Sequence, residues 1–89
     1  MMEDVLLGLG FSREEVEVVT LNLSRLNHFT FQKTINLLEK NYCSKAFIRE
    51  LVMNHVSVFE YDYDQLEFLL ESILSNGDSI EDILLDLFN

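Results

Sequence analysis

The sequence has no proline, and its only glycines are Gly8, Gly10 and Gly77. Proline and glycine are the residues that most often interrupt regular structure, so their scarcity favours helices joined by short connections. Hydrophobic residues make up 48% of the 89 residues, which is enough for a core and excludes a disordered chain. A chain of this length forms one small domain.

Cysteine is almost absent as well. Cys43 is the only one, so no disulfide can form within the chain and nothing indicates secretion. The opening Met-Met-Glu-Asp lacks the basic segment of a signal peptide. No apolar run approaches the roughly 18–20 residues that a membrane-spanning helix needs. We therefore expect a cytoplasmic protein without a membrane partner.

Basic residues are few and unevenly placed. The chain has six of them against 16 acidic residues, for a formal net charge of −10. None follows Arg49, whereas ten acidic residues do. Nucleic acids require cationic groups and anionic membranes repel acidic surfaces, so the second half of the chain suits neither. It suits either plain solvation or a partner with a basic surface.

Apolar residues recur at helical spacing almost throughout the chain. This pattern predicts an all-α domain of five or six short helices. Residues that favour helix N-caps precede the apolar segments. The predicted caps are Ser12, Thr30, Ser44, Asp62 and Ser79, with capping-box patterns at Ser12–Glu15 and Asp62–Gln65. Asn76-Gly77 is typical of a helix end with a left-handed glycine.

The order of these signals repeats. Placing Ser12 on Ser44 brings Val16 onto Ile48, a period of 32 residues, and a truncated third copy begins at Ser79. Periods of this size are typical of stacked helical repeats. The sequence thus predicts one domain over residues 1–89. Its two to three stacked helical hairpins would form a short solenoid or compact bundle, with units at about 12–43, 44–75 and 79–89.

Two segments resemble a known repeat. Leu-Gly-Phe-Ser-x-Glu-Glu-Val at 9–16 and VSVFEYDYDQLEFLLE at 56–71 are similar to repeats of the mitochondrial transcription termination factor family. The resemblance implies two helices and a short 3₁₀ turn per repeat, stacked into a curved solenoid that binds nucleic acid on a basic concave face. The chain departs from the family at Ser24 and Val56, where proline usually begins the bend, and its second half lacks basic residues.

A second resemblance covers residues 5–41. The segment Leu-Gly-Phe-Ser at 9–12, followed by Thr-Ile-Asn-Leu-Leu at 34–38, is similar to a ubiquitin-associated domain. It implies a three-helix module that binds ubiquitin through the Gly-Phe loop and the end of the third helix. The spacing between the two segments is longer here than that family usually shows.

The segment FEYDYDQLEFLLE at 59–71 poses the question of a metal site. Glu60, Asp62, Asp64 and Glu71 have the ligand spacing of a calcium loop. Gln65 stands where such a loop needs glycine, and it resists the left-handed backbone of that position. The apolar spacing that follows is helical. We therefore interpret these acids as the first turn of a helix, where they complement its dipole, and predict no metal.

No other residues form a recognisable chemical site. His28, His55 and Cys43 are scattered singly, whereas structural zinc sites use four ligands, usually in close pairs. Cys43 is expected to be a buried thiol rather than a nucleophile. The sequence shows no catalytic triad order and no phosphate-binding loop. It predicts neither an enzyme nor a cofactor.

The sequence predicts a non-catalytic acidic module for protein–protein interaction or regulation. Its partner would be a protein with a basic or apolar surface, with a homodimer as an alternative assembly. The terminal segment, rich in both acids and large apolar residues, either caps the core or docks a partner. The predicted partner-binding residues are Glu60, Asp62, Asp64, Glu67, Glu71, Leu84, Leu87 and Phe88.

Two other functions stay open. The first is nucleic-acid binding of the termination-factor kind, which would have to use the six basic residues. The second is a small phage or mobile-element inhibitor that mimics nucleic acid by presenting carboxylates where a target expects phosphates. The basic residues are Arg13, Arg25, Lys33, Lys40, Lys45 and Arg49.

Overall fold

The computed structural model describes residues 2–88, which form six α-helices and one 3₁₀ helix without any β-strand. The prediction of an all-α domain with five or six short helices is confirmed. The α-helices are α1 (Met2–Gly8), α2 (Arg13–Asn22), α3 (His28–Lys40), α4 (Lys45–Asn54), α5 (Tyr63–Ser75) and α6 (Ile80–Leu87), and the 3₁₀ helix (Val56–Glu60) lies between α4 and α5.

Four of the five predicted N-caps are confirmed. At α2 the capping box is complete: the Glu15 N–H donates to Ser12 Oγ at 3.2 Å, and the Ser12 N–H donates to the Glu15 carboxylate at 2.8 Å. Each such bond satisfies a backbone donor that has no partner inside the helix. Ser44, Asp62 and Ser79 cap α4, α5 and α6 by accepting the N–H three residues later, without the reciprocal bond, so the predicted box at Asp62–Gln65 is a single cap.

The prediction of Thr30 as the cap of α3 is wrong. The helix begins earlier, at His28, and Asn27 is its N-cap. The Asn27 side-chain oxygen accepts the N–H groups of Phe29 at 2.8 Å and Thr30 at 3.1 Å. Asparagine is as good a cap as serine and better than threonine, which favours a start at Asn27 over one at Thr30.

Three helices end in the same hydrogen-bonded motif, in which the chain turns through a left-handed residue. Gly77 confirms the predicted end of α5, with a φ of +77°, and Gly10 ends α1 with a φ of +103°. At the end of α3 the left-handed residue is Tyr42, with a φ of +68°. A side chain at such a φ is strained, and Tyr42 is 90% exposed, so little packing offsets the strain.

Replacing Tyr42 with glycine should therefore raise the free energy of unfolding. The relief of about 1–2 kcal/mol of backbone strain exceeds the roughly 0.5–1 kcal/mol that glycine loses in chain entropy. Urea denaturation followed by circular dichroism measures the difference. Tyr42→Ala is the control, because it removes the ring and keeps Cβ. An equal gain in both variants would show that the ring, and not the backbone, is unfavourable.

Helix α3 lies at the centre of the bundle, where it contacts α1, α4, α5 and the 3₁₀ helix. Its Phe31, Ile35 and Leu38 are almost fully buried. The Phe31 ring packs against the Phe59 ring of the 3₁₀ helix with centroids 4.9 Å apart. This contact packs the connection between α4 and α5 against the core.

An arginine joins α4 to the turn between α1 and α2. The Arg49 guanidinium donates to the backbone carbonyl of Leu9. A Cβ added at Gly10 would lie 2.6 Å from Arg49 Nη1, and the positive φ of Gly10 disfavours a side chain in any case. A side chain at Gly10 would therefore strain the backbone and require the end of the Arg49 side chain to shift.

We expect Gly10→Ala to lower the free energy of unfolding by about 1–3 kcal/mol, through backbone strain and the displaced arginine. Gly8→Ala is its matched control: Gly8 belongs to α1, and nothing lies within 4 Å of an added Cβ. Alanine there should instead raise stability by about 0.5–1 kcal/mol. Thermal denaturation of the two variants tests the pair, and two shifts of the same sign would contradict the account.

The helix lengths bear on the repeat. Helices α2 and α4 have ten residues each, and α3 and α5 have thirteen each. The buried Val16 and Val19 of α2 match Ile48 and Leu51 of α4 at the predicted interval. The connection before α5 is longer than the one before α3 because it contains the 3₁₀ helix. The division into repeat units stays a prediction.

Helix α6 packs on α5 and closes one side of the bundle. It buries Ile80 and Leu84, and the Glu81 carboxylate approaches the Ser44 backbone N–H at the start of α4 (3.5 Å). Among residues 2–88, no helix has the length and apolar character that crossing a bilayer requires.

Candidate functional site

The outer face of α5 carries an exposed apolar surface. A shallow depression of about 530 Å³ is lined by Tyr61, Asp64, Gln65, Phe68, Leu69 and Ser72. Phe68 is 71% exposed and Tyr61 is 39% exposed, while Leu69 is half-buried. We call Tyr61, Phe68 and Leu69 the α5 patch. Large exposed aromatic residues that lie together are typical of interaction surfaces.

The local sequence explains why Phe68 faces outwards. Leu66, Leu70 and Ile73 take the positions of α5 that face the core, at three- and four-residue steps. Phe68 is two residues from both Leu66 and Leu70, which is about half a helical turn, and so it lies on the side away from the core. The burial of this residue type is usually favourable, by about 1.5–3 kcal/mol. A partner that covered the exposed Phe68 side chain would gain this free energy of burial.

Carboxylates border the α5 patch on one side. Asp64 and Glu71 stand four residues before and three residues after Phe68, which makes them its neighbours on the helix surface. Glu67 lies on the same side as both, three residues after Asp64 and four before Glu71. Asp64 and Glu71 are exposed and Glu67 is half-buried. We call Asp64, Glu67 and Glu71 the acidic row.

The other two predicted acidic residues have roles inside the protein. Asp62 caps α5 by accepting the Gln65 N–H at 3.0 Å. Glu60 forms an exposed ion pair with Arg25, with 3.7 Å between Nη2 and Oε1. Such surface pairs contribute little stability. Glu60 and Asp62 lie at the start of the α5 patch, but a partner would have to compete with these contacts.

The three apolar residues predicted to bind a partner near the end of the chain differ in burial. Leu84 is fully buried and belongs to the core, so it presents no surface to a partner in this structure. Leu87 is 58% exposed. Phe88 is half-buried, and its ring packs edge-on against the Tyr61 ring with centroids 5.3 Å apart. The end of the described chain thus supports one edge of the α5 patch.

Sequence reasoning missed the apolar half of this site. The predicted partner-binding residues include neither Tyr61 nor Phe68 nor Leu69. A signal was present for Phe68, since it lies outside the three- and four-residue series of Leu66, Leu70 and Ile73. An apolar residue on the charged side of an amphipathic helix needs a partner to become buried.

A second depression, of about 450 Å³, lies between α1 and α2. It contains the apolar side chains of Leu7 and Leu21, but its charges are of both signs, with Arg13 beside Glu17. It holds no aromatic side chain. The α5 patch is the stronger candidate, because it combines aromatic surface with charge of one sign.

The histidines and the cysteine lie in different parts of the fold. His28 is the first residue of α3, and His55 lies between α4 and the 3₁₀ helix. His55 Nδ1 is 3.1 Å from the Phe88 carbonyl oxygen, and Nε2 is 3.6 Å from a Glu50 carboxylate oxygen. Over the described range, no three or more His, Cys, Asp or Glu side chains are grouped so that they could hold a metal ion.

Cys43 is buried beside α6, as predicted for a structural thiol. Burial, together with the nearby negative charge of Glu81, raises the pKa of the Cys43 thiol from 9.0 to about 11. The thiol is the neutral form at physiological pH, and the thiolate is the nucleophile, so this environment opposes reactivity.

This pKa has a consequence for stability at high pH. The unfolded chain loses the thiol proton near pH 9, while the folded protein keeps it to about pH 11. Between these two pH values the folded state holds the thiol proton and the unfolded state does not. The free energy of unfolding therefore falls as the pH rises from 9 to 11, by on the order of 2 kcal/mol. Comparing urea denaturation of the wild type with Cys43→Ala across this range isolates the thiol. A stability difference that stays constant with pH would contradict the assignment.

Several basic side chains are already engaged within the molecule. Arg25 pairs with Glu60, and Arg49 donates to the Leu9 carbonyl. Lys33 Nζ lies over the Tyr63 ring, 4.3 Å from its centroid. The six basic residues also lie on α2, α3, α4 and the turn between α2 and α3 rather than on one element.

No protein-family model, no curated protein and no solved structure matches this chain. The resemblances to termination-factor repeats and to the ubiquitin-associated domain therefore stay predictions.

Proposed function

We propose that the protein is a non-catalytic interaction module that binds a protein partner through the α5 patch and the acidic row. The supporting observation is the 71% exposure of Phe68, with Asp64 and Glu71 as its helix-surface neighbours. Protein interfaces commonly place aromatic residues at the centre and polar groups at the rim. Truncating one of the few aromatic residues that dominate an interface costs about 2 kcal/mol or more of binding free energy.

The charge distribution indicates the kind of partner. All of the net negative charge arises after Arg49, because the six basic residues before that point are matched by six acidic ones. A partner with a basic surface would be attracted over a distance and oriented by this charge. We also propose that the module acts in the cytoplasm, for which the unpaired Cys43 is the support.

The nucleic-acid alternative has less support. Arg25 and Arg49 contact groups of the same chain, and Lys33 lies over an aromatic ring. Phosphate binding would have to replace these contacts, and the acidic second half would oppose it. A gel-shift titration at low salt with micromolar protein tests this alternative, and a shift would favour it over the proposal.

The proposal is tested by affinity capture from the native host, followed by mass spectrometry. Wild-type protein is compared with the triple variant Asp64→Lys, Glu67→Lys, Glu71→Lys. The control is Glu14→Lys, Glu15→Gln, Glu17→Lys on α2, which leaves α5 unchanged. We expect the specific partner to be captured by the wild type and the control and lost with the triple variant. Equal capture by all three would contradict the proposal.

A further inference from the structure

We infer that the partner presents an amphipathic α-helix, with Lys or Arg along one side and a large apolar residue beside them, which lies along α5. This inference rests on the proposed function and specifies the shape of the ligand. It is drawn from the spacing of the acidic row, the position of Phe68 beside it, and the sign of the charge.

The acidic row has the axial spacing of a helix. With a rise of about 1.5 Å per residue, Glu67 stands about 4.5 Å and Glu71 about 10.5 Å beyond Asp64 along the axis of α5. A helix aligned with α5 repeats its own side chains at steps of three and four residues on one side. Its basic residues would therefore meet the three carboxylates in register.

An extended segment fits this row less well. Side chains on one face of a strand recur about every 6.6–6.8 Å, since the rise is about 3.3–3.4 Å per residue. Such a segment can match one or two carboxylates but drifts from the third. It would also leave a row of backbone donors and acceptors against the apolar α5 patch, where they would lack partners.

The depression beside Phe68 can accommodate an apolar side chain of the partner, next to the partner's basic residues. Phe68 lies between Asp64 and Glu71 along α5, and Tyr61 and Leu69 line the same depression of about 530 Å³. The Phe88 ring packs edge-on against the Tyr61 ring. An apolar side chain of the partner helix would fill the depression while its cations reach the carboxylates, which is the arrangement of a helix in a groove.

A second copy of the chain is a poorer occupant. In a two-fold dimer the same surface of each copy faces the other. The acidic row of one copy would then lie near the acidic row of its partner, with like charges in contact. The nearest basic residues, Arg25 and Lys33, are engaged with Glu60 and the Tyr63 ring of the same chain.

Two synthetic peptides of identical composition test the inference. Both contain leucine, lysine and one tryptophan; one has helical spacing of leucine and the other strictly alternates leucine and lysine. The protein contains no tryptophan, so peptide fluorescence reports binding directly. Titrations are run with the wild type, Phe68→Ser, and Phe29→Ser as the matched control, because Phe29 is 73% exposed on another helix.

We expect the helical peptide to bind the wild type at least about tenfold more tightly than the alternating one. Phe68→Ser should weaken the helical peptide at least about tenfold, and Phe29→Ser should change its affinity less than about twofold. Circular dichroism of each variant confirms that the fold is retained, and analytical ultracentrifugation reports whether the free protein dimerises. A dimer dissociated by Phe68→Ser would assign the surface to a second copy and overturn the inference.

Equal affinity for the two peptides, or equal effects of the two phenylalanine variants, would also overturn the inference. The outcome of the capture experiment does not depend on the outcome of the peptide titrations. If capture depends on the acidic row while the peptides do not discriminate, the proposed function stands and the helical shape of the ligand is wrong. If the peptides discriminate through Phe68 and capture does not depend on the acidic row, the proposed function is contradicted.

Discussion

Replacing Phe31 with alanine should lower the free energy of unfolding by about 3–5 kcal/mol. The side chain is 1% exposed, lies on the central helix α3, and packs against the Phe59 ring. Its loss removes apolar contacts and leaves a cavity that neighbouring helices can fill only in part. Since small domains have about 5–15 kcal/mol of stability in total, the variant should lose a large share of it. Urea denaturation followed by circular dichroism measures the change.

Phe29 provides the control for this prediction, because it stands two residues earlier on α3 and is 73% exposed. Phe29→Ala makes the same chemical change and should alter stability by no more than about 0.5 kcal/mol. Lys33 Nζ lies 5.7 Å from the Phe29 ring, a contact that contributes little when exposed. Similar losses in the two variants would show that α3 is not placed with Phe31 towards the core.

Leu84→Ala should be the second strongly destabilising change, costing about 2–5 kcal/mol. Leu84 is fully buried where α6 packs on α5, so its truncation opens a cavity under the last helix. Because α6 also holds Glu81 near the start of α4, its loosening should be felt beyond its own residues. Thermal denaturation and amide hydrogen exchange measure the loss of stability and its extent.

The control is Leu87→Ala, on the same helix. Leu87 is 58% exposed, and its truncation should change stability by no more than about 0.5 kcal/mol. This pair distinguishes a helix that caps the core from one that is free to dock. A Leu84→Ala variant as stable as Leu87→Ala would mean that α6 leaves the bundle in solution.

The helices and most of their ends could be predicted because their causes are local. Ser12 and Glu15 form a capping box from residues three apart, and Asn76-Gly77 ends α5 through the freedom of glycine. The error at Thr30 has a local cause too. Asn27 and Thr30 are both acceptable caps, and the apolar pattern does not state which turn begins the helix.

The packing of the helices could not be predicted in the same way. The last segment offers Ile83, Leu84, Leu87 and Phe88 as apolar residues on more than one side. Which of them is buried depends on where α5 lies, and that is a tertiary property. The structure buries Leu84, leaves Leu87 exposed and places Phe88 against Tyr61.

The sequence indicates the negative charge around the candidate site but not which side chains form its surface. Charge can be counted along the chain, and the lack of basic residues after Arg49 indicated an acidic surface. The α5 patch needed the fold, since it joins Tyr61, before α5, to Phe68 within it and is supported by Phe88 from the end of α6. The same fold assigned Glu60 and Asp62 to contacts within the chain.

The central claim is that a protein partner contacts the exposed face of α5 around Phe68. Photo-crosslinking in the native host tests it most directly, with benzoylphenylalanine incorporated in place of Phe68 or of Phe29, which are 71% and 73% exposed. The account predicts a specific crosslinked protein from position 68 that is absent from position 29. A crosslinked partner at position 29 with none at position 68 would contradict it.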